Sequence, residues 1–132
     1  MTSPATAAHP TESRVRGVDR AHEIVAGTMA GLVLVLAVMA SRSVKLFGTW
    51  EIELHGYVGN SLFILALVNG GLALNRRRGE LTALIIGMLV FAQIGLGYVG
   101  RDSLEAAAWH VPNGVLLMGL TTFQFAQIRK AR

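Results

Sequence analysis

Four long apolar stretches, separated by short polar breaks, organise the chain. The first, residues 24–40, carries no charge. Its helix is predicted to continue toward Phe47, with Arg42 and Lys45 snorkelling to the membrane surface. The second covers residues 55–74, the third 81–100 and the fourth 106–128. About 20 apolar residues rising 1.5 Å each cross a hydrocarbon core of roughly 30 Å, so four such runs predict four transmembrane helices. The breaks support this. Residues 75–80 form a tight charged turn with three successive arginines, Arg76, Arg77 and Arg78. Arg101, Asp102 and Ser103 form another, with Asp102 placed to cap a helix and Glu105 placed to complete the box. Loops this short make neighbouring helices antiparallel. The predicted fold is all-α: a four-helix up-down-up-down transmembrane bundle over residues 21–130. Residues 1–20 are rich in Ser, Thr, Pro and Ala and read as a disordered tail. They lack the apolar core and small-residue cleavage site of a signal peptide.

Composition sharpens the picture. The 132 residues are enough for one domain. Hydrophobic residues make up 52% and charged residues 15%, where a soluble domain carries about 25% charged. There are no cysteines, which removes disulfides, thiolate metal sites, iron–sulfur clusters and covalently attached haem. The net charge of +4 is distributed as a topology signal. With the N-terminus inside, the inner segments hold Arg14, Arg16, Arg20, Arg76, Arg77, Arg78, Arg129, Lys130 and Arg132. The outer loops hold only Arg42, Lys45 and Arg101. This positive-inside bias predicts a multi-pass protein of the cell membrane with both termini cytoplasmic. It accounts for the basic clusters without a nucleic-acid partner.

One motif is rejected. Gly95-Leu-Gly97-Tyr-Val-Gly100 matches the dinucleotide-binding pattern, but it ends an apolar helix instead of following a strand and opening one. These glycines read as small residues that let helices, or a flat ligand, come close.

Polar residues inside lipid are costly and are candidates for function. They are His55, Asn60, Asn69, Gln93, His110, Asn113, Thr121, Thr122 and Gln124. Two stand apart. His55 opens the second helix and His110 the fourth, so both imidazoles lie at a similar depth near the outer face. In a four-helix bundle these helices are diagonal, about 12–14 Å apart when neighbours pack at 8–10 Å. That gap suits two imidazoles approaching one iron from opposite sides. Gly59 follows His55, and Gly114 follows His110, at the i+4 spacing that shares a helix face. Each glycine leaves a slot where a macrocycle can press on the backbone. Ala106, Ala107 and Ala108 keep the turn above His110 small. Asn60 and Asn113 flank the glycines as hydrogen-bond partners for backbone or imidazole. Pro112 frees a carbonyl near Trp109. Arg101 is a candidate to hold haem propionates, with Arg42 and Lys45 behind it, against the plainer role of pairing with Glu51, Glu53, Asp102 or Glu105. The histidine pair remains open between haem ligation, interhelical hydrogen bonding, and a metal site or proton relay. His22 reads as an interfacial residue with no partner at its depth. Trp50, Tyr57, Tyr98 and Trp109 form an aromatic belt.

This pattern resembles one half of the haem A synthase family, which is built from two four-helix bundles, each with a bis-histidine site near the outer leaflet. The positions that match are His55 and His110, over residues 24–128. Two residues depart from the family. Ile52 stands where those enzymes carry a glutamate before the helix-two histidine, and Gly56 where they carry an arginine after it. The second bundle is absent, so the family's oxidase chemistry is not carried over. The chain is also similar to small four-helix membrane proteins of bacteria with paired histidines, to which no activity is attached.

The leading expectation is a small haem-binding membrane protein of the b-type cytochrome class. His55 and His110 ligate the iron of haem b, and Gly59, Gly114, Arg101 and Asn113 line the cofactor. The role is electron transfer or haem handling, with a quinone or a respiratory complex as partner and a homodimer as one assembly. Six-coordinate iron leaves no open position for oxygen. The alternative is a cofactor-free accessory subunit or assembly factor that presents Gly27, Gly31 and Gly95 to a larger complex. A transporter is disfavoured because no charge sits at the membrane midplane. No nucleophile–base constellation points to a hydrolase, and no catalytic residue is assigned.

Overall fold

The computed structural model describes the backbone of residues 10–43, 49–76 and 79–131, and the side chains of residues 15–40, 52–75 and 79–131. Arg42, Lys45, Trp50 and Glu51 therefore have side chains outside the described residues. The described chain forms four helices and no strand: α1 Pro10–Ser43, α2 Thr49–Arg76, α3 Glu80–Val99 and α4 Leu104–Lys130.

Local chemistry explains where these helices begin. Proline suits the first helical position because its missing N–H would go unpaired there anyway, and α1 starts at Pro10. The expected tail is thus helical from Pro10 onward. Opposite charges three residues apart, Arg16 with Asp19 and Arg20 with Glu23, suit a helical surface. Gly79 precedes α3 with φ of 69°, a left-handed conformation that glycine adopts without steric cost. Its carbonyl accepts from the Ala83 N–H at 2.9 Å. The cap of α4 is Ser103, one residue beyond the expected Asp102. The Ser103 hydroxyl accepts from the Ala106 N–H at 3.3 Å. Serine and aspartate both cap well, so the backbone path decides between them.

Each helix packs against two others: α1 against α2 and α4, and α3 against α2 and α4. The diagonals, α1 with α3 and α2 with α4, make no close backbone contact. Side-chain contacts link the neighbouring helices. His22 of α1 meets Asn69 of α2, Phe63 of α2 meets Phe91 of α3, and Asn113 of α4 meets Gln93 of α3. The core is Met29, Val33, Leu62, Ala66, Ile86, Val90 and Leu117.

The buried positions form a near-repeat. On α2 the inward line is His55, Gly59, Leu62, Ala66 and Asn69. On α4 it is His110, Gly114, Leu117, Thr121 and Gln124, in the same register. Likewise Ala26, Met29 and Val33 of α1 correspond to Ala83, Ile86 and Val90 of α3. Continued backward, the register sets His22 opposite Gly79, so the two halves differ at that level.

Large apolar side chains also cover the outside, among them Ile64, Leu67, Leu84, Met88, Phe91 and Val115. Exposed apolar surface on this scale marks a lipid-facing or partner-facing bundle. Among the described residues, three helical segments are long and apolar enough to cross a membrane: Val15–Ala40, Ile52–Asn75 and Glu80–Val99. The expected fourth span, α4, is not among them. It has 27 residues, but Asn113, Thr121, Thr122, Gln124 and Gln127 dilute its hydropathy.

Candidate functional site

The site lies at the end of the bundle that carries residues 100–103. His55 is in the second turn of α2 and His110 in the second turn of α4. Both are half-buried on the inward lines. Although the backbones of α2 and α4 make no close contact, the two rings meet across the diagonal, with centroids 6.1 Å apart and planes tilted by 51°. A metal–imidazole bond is about 2.0–2.1 Å. Two imidazoles on opposite sides of one iron therefore have centroids roughly 6 Å apart, after adding the ring radii.

The ring nitrogens carry a second clue. Nδ1 of His110 is buried and has no hydrogen-bond partner. The Gln93 backbone of α3 lies beside this ring. Metal-ligating histidines commonly turn one N–H toward a backbone carbonyl and leave the other nitrogen for the metal. The His110 ring is seated by Gly97, where a Cβ would come within 3.1 Å of Cε1 and 3.5 Å of Nδ1. Gly97 was the central glycine of the rejected nucleotide motif, and making room for this ring is its structural use. Nearby Gly100 brings α3 against α4, since a Cβ there would lie 3.2 Å from the Ala107 backbone.

The other predicted residues divide. Arg101 reaches over α2, with a guanidinium nitrogen 3.9 Å from where a Cβ on Gly56 would sit. It also lies 5.3 Å from the Tyr98 ring centroid. That places a cation beside the residue following His55. Gly59 opens onto free space, with nothing within 4 Å of a Cβ built there. Gly114 does not: a Cβ would lie 3.0 Å from Nε2 of Gln93, so that carboxamide fills the slot expected for a macrocycle. Asn113 serves the same junction. Its Nδ2 donates to Oε1 of Gln93 at 2.6 Å and to the Leu89 carbonyl at 3.0 Å, so it ties α4 to α3 below His110. Asn60 donates to the Tyr98 hydroxyl at 3.1 Å, joining α2 to α3. Among the described residues, no group of three or more His, Asp or Glu side chains is set to hold a metal ion. A haem iron needs only two ligands from protein, because the porphyrin nitrogens fill the other four positions.

The opposite end corrects one expectation. His22 is not a partnerless interfacial residue. It is 4% exposed, and its Nε2 is hydrogen-bonded to Oδ1 of Asn69 at 3.1 Å. Asn69 in turn donates from Nδ2 to Oε1 of Gln124 at 3.0 Å. The chain links α1, α2 and α4 and ends at Nε2 of Gln124, which is buried without a partner. Thr121, one turn away, is satisfied within its own helix by the Leu117 and Met118 carbonyls. The sequence signal was present in the polar residues Asn69 and Gln124 at equal distances beyond the two histidines. What hid the role of His22 was its place before the charge-free run, with its partner on another helix.

No family model matches the chain, and no curated protein or solved structure is detectably similar to it.

Proposed function

We propose that this chain is a small integral membrane haem protein of the b type, crossing the bilayer four times in up-down-up-down order with both termini cytoplasmic. His55 and His110 would hold its iron. The observation that carries this reading is the facing pair of imidazoles at 6.1 Å, delivered by two helices whose backbones make no close contact. Supporting it are the buried, unpartnered Nδ1 of His110, the open space at Gly59, and Arg101 placed to neutralise an anionic group. A bound haem would supply reversible one-electron transfer. The chain's own work is to hold two imidazoles, seat one of them on Gly97, and cover the site with α3. With both axial positions taken, the activity is electron transfer or haem handling, with a quinone or a respiratory complex as the exchange partner.

The test is the reduced-minus-oxidised visible spectrum of the detergent-purified protein. Sharp α and β bands that are lost in both His55→Ala and His110→Ala, with helicity retained, support the reading. A colourless protein that also fails to take up added haemin defeats it. In that event the cofactor-free subunit becomes the better reading, with Gly31 and Gly95 as its contact surface. Both glycines have open space beside them, whereas Gly27 is already covered by Phe125 within the bundle.

A further inference from the structure

A cleft of about 450 Å³ opens between α1 and α4 at the end that carries the termini, lined by Arg20, Glu23, Ile24, Gly27, Thr28 and Phe125. Its floor is apolar and tightly made: a Cβ on Gly27 would lie 3.0 Å from the Phe125 ring, so the ring rests on the glycine. Its rim is charged. Glu23 is largely covered, and Oε1 of Glu23 lies 3.5 Å from Nε of Arg129. The Arg129 guanidinium also sits 5.7 Å from the Phe125 centroid. With the one acid matched by Arg129, Arg20 leaves the rim net positive. The charge-free run of α1 begins at Ile24, directly beyond this rim. Polar rim and apolar floor therefore fall on the two sides of the headgroup boundary.

We infer that this cleft binds an anionic phospholipid, with its phosphate at the Arg20–Arg129 rim and an acyl chain along Ile24, Thr28 and Phe125. The charge pattern chooses the occupant. A basic pocket between membrane helices favours an anionic headgroup, whereas a zwitterionic lipid brings a cation toward Arg20. The inference does not depend on the histidine pair.

Native mass spectrometry of the full chain, released from detergent with graded phosphatidylglycerol or phosphatidylcholine of matched acyl chains, reads the occupancy directly. Phosphatidylglycerol should bind several-fold more tightly. Arg20→Gln should weaken that binding by about five-fold, the scale for one interfacial arginine, and leave phosphatidylcholine unchanged. Thr28→Phe, which crowds the cleft, should weaken both lipids. Lys130→Gln removes an equal charge at the same end but outside the cleft, and should have no effect. The inference is overturned if the two lipids bind alike, if Lys130→Gln weakens binding as much as Arg20→Gln, or if a dimer forms in place of the lipid adduct. Circular dichroism establishes that each variant keeps its helices.

Discussion

The two ends of this bundle use the same residue type in opposite ways. At one end, His55 and His110 face each other, flanked by glycine and half-open to the outside, and Nδ1 of His110 is buried without a partner. At the other, His22 is buried and its Nε2 is occupied by Asn69, which is held by Gln124. The inward lines of α2 and α4 run through both ends, with an imidazole at one extreme and an amide nearly four turns away, about 21 Å along the axis. An imidazole held by amides is tied into the packing. An imidazole with a buried, unpartnered nitrogen keeps that nitrogen free for a metal. Surroundings, more than the histidine itself, separate a cross-brace from a candidate ligand.

The sharpest way to break that contrast is Gly97→Leu. Its side chain would occupy the seat of the His110 ring, and the bulk leaves no room for a small adjustment, so overpacking of roughly 1–3 kcal/mol falls on this junction. Most bound haem should be lost, as measured by pyridine haemochrome per mole of protein, with helicity unchanged. Full haem content would show that the seat is irrelevant. Asn69→Leu attacks the other end. It removes the hydrogen bonds that Asn69 makes to His22 and Gln124 in the interior and should cost about 1–3 kcal/mol, read from unfolding in mixed micelles with SDS, while the visible spectrum stays as it was. A changed spectrum would mean that the two ends are coupled. Arg101→Gln is gentler. Removing an exposed cation beside the proposed haem disfavours the reduced, more negative state, so the midpoint potential should fall on the order of tens of millivolts, with the bands retained. A redox titration that shows no shift would place Arg101 away from the cofactor. The smallest effect belongs to Gln124→Leu. It frees Asn69 Nδ2 but also removes an unpaired buried donor, so the two contributions oppose and the net should stay within about 1 kcal/mol.

Much of the architecture was legible along the chain. Apolar run length located all four helices, and matched depth singled out His55 and His110, which the structure brings together. The misreadings share a cause. Whether a polar side chain is buried depends on what the adjacent helix puts beside it, and no spacing within one helix reports that. Gly114 looks like an open slot until Gln93 of α3 fills it. His22 looks interfacial until α1 extends back to Pro10 and sets it against Asn69. The choice of Ser103 over Asp102 as cap turns on one residue of backbone path.

The near-repeat has a consequence for how the molecule can be taken apart. Each pair of helices, α1 with α2 and α3 with α4, brings one histidine of the facing pair, and the join between them passes through Gly79 in its left-handed turn. Severed there, the polypeptide becomes two fragments that each carry one of the two proposed ligands. Coexpressed fragments that regain colour only together would show that iron acts as the rivet between two otherwise separable pieces.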